Sequence, residues 1–213
     1  MAYNSYYARK IHSLLGVIPI GFFLIEHFLS NYESVNGNAA FTKQVEWLHH
    51  LPFLFFLELF LVWLPLLYHG IYGLYMTYQS QINVGRYGYY RNWMYTLQRV
   101  TGVITFIFIV WHVAQTRLQV ALGNVAYEDL GKLMVDVFAN PVSLTLYIIA
   151  IVAASFHFAN GMWLFLAQWG ITVGPRAQRI SSVVWMVFFV VFALVGILAA
   201  LGFRDPDFFT KGV

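Results

Sequence analysis

The chain has 213 residues, of which 60% are hydrophobic, 19% aromatic and 10% charged, whereas an ordinary soluble domain carries roughly 25% charged residues. It contains no cysteine, which excludes disulfides, iron–sulfur ligation by this chain and covalent c-type haem attachment. The net charge of +3 lies in loops, so nucleic-acid binding has no support.

Apolar stretches of ~20 residues are long enough to cross the ~30 Å hydrocarbon core of a bilayer. Five can be drawn in chain order: Ile11–Leu29, Pro52–Tyr78, Leu97–Leu118, Pro141–Gln168 and Ile180–Gly202. The first begins basic and then turns apolar, as a signal peptide does. It lacks a small-residue cleavage site and carries Pro19, Glu26 and His27 in its apolar part, so it reads as a retained helix. Pro52 and Pro141 fall near helix starts, where a missing N–H costs nothing. Pro19 and Pro65 fall inside spans and predict kinks. The sequence therefore predicts an all-α, five-helix integral membrane bundle forming one domain over residues 1–213.

Loop charge sets the expected orientation. Arg9, Lys10, Arg86, Arg91, Arg99, Arg176 and Arg179 fall on one side with no carboxylate. The other side holds Lys43, Arg117, Lys132, Arg204 and Lys211 among seven acidic residues. The positive-inside rule places the first side, and the N-terminus, in the cytoplasm, and the C-terminus outside. A weak internal repeat also shows: "GVIPIGFFLIEH" in span one against "GVITFIFIVWH" in span three, and "HGIYG" in span two against "HFANG" in span four.

Each of the first four spans contains one histidine. His27, His69, His112 and His157 are separated by 42, 43 and 45 residues, while span five has no ionisable residue before Arg204. One intramembrane histidine can be a simple helix contact, but four at near-constant spacing mark a functional site. Helix rise puts His27 and His112 ~22 Å from the cytoplasmic start of their helices and His69 and His157 ~13–16 Å above that face. Two layers follow, each with two imidazoles on alternate helices. Structural zinc needs four ligands, often thiolates, and copper would leave its charge poorly compensated. A haem needs one axial ligand on each face of a flat apolar ring, which two facing helices supply. Gly73 and Gly161 follow their histidines by four residues and are expected to leave room for a porphyrin, as are Gly16 and Gly102 near the inner layer. Glycine equally permits close helix packing. With both axial positions filled, the expected role is electron transfer.

The stretches "RKIHSLLGVIPIGFFLIEH", "LPLLYHGIYGLY", "YYRNWMYTLQRVTGVITFIFIVWH", "FHFANGMW" and "WGITVGPRAQRIS" closely resemble the dihaem cytochrome b558 subunit of Bacillus-type succinate:menaquinone oxidoreductases, from about residue 6 to residue 200. That resemblance implies a multi-pass subunit of the bacterial cytoplasmic (inner) membrane, anchoring a flavoprotein with FAD and an iron–sulfur protein with Fe–S clusters. It implies two b haems: a proximal, higher-potential one on His69 and His157, and a distal, lower-potential one on His27 and His112. Electrons would pass from succinate through the partner subunits and both haems to menaquinone near the outer face. Succinate chemistry itself would reside in the partners. The family also includes fumarate reductases that run the other way, and their acidic quinone-site residue early in helix two does not align here, since the only carboxylate in span two is Glu58.

Glu58 precedes His69 by three helical turns, ~16 Å nearer the outer face, and is the candidate proton relay for quinone reduction. The plain alternative is a carboxyl bonded to a neighbouring helix. Glu26 adjoins His27 but points about 100° away around the helix. Arg99 and His12 have the depth to meet haem propionates. Arg9 and Arg91 serve equally well as headgroup anchors, and Arg176 and Arg179 are candidates for docking the iron–sulfur subunit. Rival readings are a dihaem anchor of a hydrogenase or formate dehydrogenase, a metal or proton transporter, and a purely structural anchor. A dithionite-reduced spectrum would separate the transporter, and the copurifying partner would separate the other cytochromes. A higher oligomer is compatible with the sequence.

Overall fold

The computed structural model describes residues 2–211. Among them there is no strand, and five helical rods are long and apolar enough to cross a membrane: Tyr6–Asn36, Leu54–Tyr78, Tyr90–Ala121, Pro141–Gln168 and Pro175–Gly202.

The first rod joins α1 (Ala2–Val17) to α2 (Pro19–Tyr32) through Ile18. Pro19 has no N–H to give to the preceding turn, so the helix breaks at the expected place. After a 3-10 turn at Glu33–Asn36, α3 (Asn38–His49) follows. The second rod contains α4 (Leu54–Leu57), a π segment over Glu58–Trp63 and α5 (Leu64–Tyr78). Pro65 again withholds an N–H, and the helix widens just before it rather than breaking.

The third rod is α6 (Tyr90–Gln115), interrupted at Thr116 and continued by α7 (Arg117–Ala121). The short α8 (Leu130–Ala139) leads into α9 (Pro141–Gln168), which starts as the sequence predicts. Pro141 occupies the first turn, and Asn140 Oδ1 accepts from Val142 N–H at 2.9 Å. A turn through Gly174, whose φ of 85° suits a residue without Cβ, starts α10 (Pro175–Gly202) at Pro175.

Helix α9 is the centre of the bundle. It contacts α1, α6, α8 and α10, and it buries Ala150, Ala153, Ala159, Phe156, Phe158 and Trp163. Small side chains let neighbouring backbones approach closely in an apolar medium, where there is no hydrophobic drive between helices. Helix α10 packs on α9 and α2, with Phe28 stacked on Phe192 at 4.5 Å; it contributes packing and no histidine.

The two ends of the bundle differ. At one end lie the α5–α6 turn with Arg86 and the start of α10 with Arg176 and Arg179. At the other, α3, α8 and the C-terminal residues form a cap that sequence reading leaves as loops. Phe41, Met134, Phe138, Tyr147, Phe203 and Phe208 are buried together there. Phe208 O accepts from Asn38 N–H at 2.7 Å, and Lys211 Nζ reaches Asp205 Oδ2 at 2.7 Å, so the tail is held by backbone, ring and charge together.

Phe208 is 1% exposed and Phe209 is 50% exposed. Truncating a buried phenylalanine costs about 3–5 kcal/mol. Phe208→Ala is expected to lower the unfolding temperature of the purified protein clearly, and Phe209→Ala to leave it nearly unchanged. Equal shifts in a thermal melt would refute the packed-cap account.

Candidate cofactor sites: two facing histidine pairs

The four histidines meet in two pairs. His27 on α2 faces His112 on α6 with ring centres 5.8 Å apart and planes at 72°. His69 on α5 faces His157 on α9 at 6.1 Å and 89°. This is the pairing that helix spacing predicts.

The inner pair is built by a repeated device. His69 Nδ1 lies 2.9 Å from the carbonyl oxygen of His12, and His157 Nδ1 lies 3.0 Å from that of Gln98. A carbonyl only accepts, so in both rings Nδ1 carries the proton and Nε2 keeps its lone pair. Each of these carbonyls already serves the helix amide four residues on, which belongs to Gly16 or Gly102. The second lone pair is reachable because those residues have no side chain. A Cβ on Gly102 would stand 2.8 Å from His157 Cε1, and a Cβ on Gly16 would collide with His69 Cε1.

Gly73 and Gly161 lie against the side chains of His12 and Gln98. A Cβ on Gly73 would meet His12 Nε2 at 3.1 Å, and one on Gly161 would meet Gln98 Nε2 at 3.3 Å. They make space for the side chains behind the His69 and His157 rings. His12 stacks flat on His69, centres 4.0 Å apart and planes at 10°. Gln98 fills the equivalent place beside His157, with Asn160 Nδ2 donating to its Oε1 at 2.7 Å.

The pair nearer the cap is oriented by side chains. Tyr147 Oη lies 3.1 Å from His112 Nδ1 and donates its own proton to Gln115 Oε1 at 3.2 Å, so its oxygen can accept from the ring. Asn31 Nδ2 donates to the His27 carbonyl at 2.7 Å and lies 3.4 Å from His27 Nδ1. Phe23 and Phe108 stack on the outer sides of His27 and His112. Since Gly16 touches His69 and Gly102 touches His157, the steps of 11 residues to His27 and 10 to His112 put the two pairs ~15 Å apart along the bundle.

The remaining candidates fall in two places. Arg99 sits near the inner pair: its guanidinium lies 3.3 Å over the Tyr95 ring and Nη1 donates to Tyr95 O at 2.9 Å. Its Nε is buried with no partner among the described residues. Glu58 lies elsewhere, at the start of the π segment, in a two-bond pair with Arg117 (Nε to Oε1 2.9 Å, Nη2 to Oε2 2.8 Å). The carboxyl is thus bonded to a neighbouring helix, and the wide π turn, which α-helical counting back from His69 does not include, presents it to α7.

Gln98, Tyr147, Gln115 and Asn31 escape sequence reading. The internal repeat held the signal for the first: His12 and Gln98 both stand four residues before a glycine, Gly16 or Gly102, that opens "GVI".

Comparison with known proteins agrees with this architecture. The family described as succinate dehydrogenase/fumarate reductase transmembrane subunit matches residues 78–198, and the chain belongs to that family. It is a multi-pass protein of the bacterial cytoplasmic membrane. Among its relatives, the succinate dehydrogenase cytochrome b558 subunit of Bacillus subtilis (strain 168) is 44% identical over 200 residues, covering 94% of this chain and 98% of the relative. No solved structure matches the chain.

Proposed function

We propose that this chain is the membrane-anchor cytochrome b subunit of a succinate dehydrogenase. It carries electrons from the iron–sulfur subunit by way of two bis-histidine b haems to menaquinone. The observation that carries the reading is the pair of ring separations, 5.8 and 6.1 Å. Two imidazoles ligating one iron from opposite sides, each with a metal–nitrogen distance of about 2 Å, hold their ring centres about 6 Å apart.

The residues present fit the group in two further ways. His69 and His157 give their Nδ1 protons to backbone carbonyls, which fixes Nε2 as the ligating atom and raises its basicity. The unpartnered Arg99 Nε is a donor suited to an acidic substituent such as a propionate, and His12 lies on the same side, against His69. A b haem with both axial positions filled supplies one-electron transfer and leaves no open site for O₂.

On this reading His69 and His157 hold the proximal, higher-potential haem, and His27 and His112 the distal, lower-potential one beneath the cap. The arginine-bearing end faces the cytoplasm and takes the iron–sulfur subunit, which with the flavoprotein carries the Fe–S clusters and FAD. The capped end, with the C-terminus, lies outside. The whole chain acts as one domain. Glu58 serves proton transfer only by leaving Arg117, which engages both of its carboxylate oxygens.

Two experiments test the reading. A redox titration of the purified complex is expected to resolve two one-electron components, with His112→Ala removing the lower-potential one and His157→Ala the higher. A colourless preparation, or loss of the opposite component in each variant, would reject the assignment.

Glycine substitution probes the inner site more finely. Gly102→Ala drives a methyl into the rigid His157 ring, whereas Gly161→Ala meets only the swinging end of Gln98. The reduced absorption of the higher-potential component is expected to be lost or strongly reduced in the first and retained in the second. Equal pigment in both would show that the glycine–carbonyl device does not set the ligand.

A further inference from the structure

We infer that Tyr147 is a positioning residue for the outer pair, His27 and His112: its hydroxyl accepts a hydrogen bond from His112 Nδ1 and so sets the reduction potential of the group those rings hold. This rests on the redox reading above and adds the side chain that tunes one of its two sites.

Tyr147 stands on α9 ten residues before His157, so at 1.5 Å per residue it lies ~15 Å up the helix, at the depth of the outer pair. Helix α9 therefore gives a ring to one site and a hydroxyl to the other, whose own rings sit on α2 and α6. Tyr147 is 5% exposed, and its ring is gripped edge-on by Phe108 and Phe138, each with centres 4.8 Å away. The oxygen has two partners one turn apart on α6, His112 Nδ1 at 3.1 Å and Gln115 Oε1 at 3.2 Å. Its one proton goes to Gln115, which leaves a lone pair for the imidazole.

Packing alone does not call for that hydroxyl. The buried cluster around it contains Phe41, Phe138, Phe203 and Phe208, and a phenylalanine would fill the same space. A hydroxyl in such surroundings is costly unless its hydrogen-bonding roles are met, and here they are met by the ligating ring and its neighbour. The other ring of the pair lacks such a partner. The Asn31 amide, 3.4 Å from His27 Nδ1, can only donate. Leu59, ten residues before His69 as Tyr147 is before His157, has no polar side-chain atom. Among the described residues, Tyr147 is thus the one acceptor that serves the outer rings.

An imidazole that donates from Nδ1 is a more basic ligand through Nε2. A more basic axial ligand favours the oxidised, more positive iron, so the bond from His112 to Tyr147 holds the outer potential down. The inner rings have similar help from the carbonyls of His12 and Gln98. There the Arg99 cation acts in the opposite sense, favouring the reduced state, so the inner site can keep the higher potential. Only at the outer site can the accepting oxygen be removed by substituting one side chain.

The test is a redox titration of the intact complex, read at whichever component His112→Ala removes. Tyr147→Phe keeps the ring and deletes the oxygen. It is expected to raise the reduced-to-oxidised ratio of that component about tenfold at fixed potential, an upward shift of about 59 mV for one electron. Pigment content and the other component are expected to stay as in the unaltered complex. Gln115→Leu is expected to move the same component the same way by about threefold, because Tyr147 loses the acceptor that polarises its oxygen. The double variant is expected to match Tyr147→Phe, since Gln115 acts through the tyrosine. Phe208→Ala loosens the cap without touching the hydroxyl and is expected to leave both midpoints unmoved.

An unmoved or lowered midpoint in Tyr147→Phe would overturn the inference. So would equal shifts in both components, shifts that add in the double variant, or an equal shift in Phe208→Ala. Should Tyr147→Phe lose its pigment, Gln115→Leu decides, and an unmoved midpoint there refutes the role. If His112→Ala removes no component at all, the redox reading fails instead, whatever the tyrosine does.

Discussion

A ring nitrogen can point at a metal in an apolar bundle only if the other nitrogen of the same ring is already satisfied. Leaving a buried N–H unpaired costs about 1–3 kcal/mol, and a ring free to turn would bond whichever acceptor it met. Here the carbonyls of His12 and Gln98 solve the problem. Each is a helix carbonyl with one lone pair committed to its own helix and one to spare. The spare one would ordinarily be shielded by the side chain a turn later. With glycine at that position the imidazole reaches it, and the reach of the ring then sets how close α5 comes to α1 and α9 to α6. Helix spacing, ring orientation and tautomer follow from one contact made twice.

The duplication is visible at every level. His12, Gly16, His69 and Gly73 in the first hairpin correspond to Gln98, Gly102, His157 and Gly161 in the second. The copies have diverged where the backbone device does not depend on the side chain: an imidazole stacks behind His69, whereas an amide bonded to Asn160 lies behind His157. They have also diverged in helix continuity. Pro19 breaks the first rod where Thr105 continues the third, and the first rod takes one residue more to reach its outer histidine. An extra residue at a break lets a helix regain phase, so both outer rings still point inward.

This also explains how far the sequence could be read. Span number, the kink at Pro19 and the pairing of the four histidines follow from 1.5 Å per residue and from turns that reverse direction. Such quantities add up along a chain without knowledge of what packs where. The partners of Gly73 and Gly161 do not, because a glycine signals that something comes close and not what it is. Glu58 hides its partner for a related reason. Its angular position depends on a π turn, which depends on Pro65 and on packing against α7. The cap helices α3 and α8 were missed because their apolar faces are covered by the C-terminal residues Phe203 and Phe208, a long-range contact that local periodicity does not encode.

The two pairs are not equally protected from change. The inner rings are held by backbone carbonyls, which no substitution can delete; only a glycine replacement can block them. His112 is held by Tyr147 Oη, a side chain that sequence drift can alter, whereas the nearest group to His27 Nδ1, the Asn31 amide at 3.4 Å, can only donate and spends its proton on the His27 carbonyl. Hydrogen bonds to the non-ligating nitrogen tune ligand basicity and hence metal properties. The inner site is therefore fixed by the fold, and the outer site can be adjusted side chain by side chain without disturbing the helices. On the proposed redox reading, that division would keep the site toward the soluble partners constant while the one toward a lipid-borne acceptor adapts.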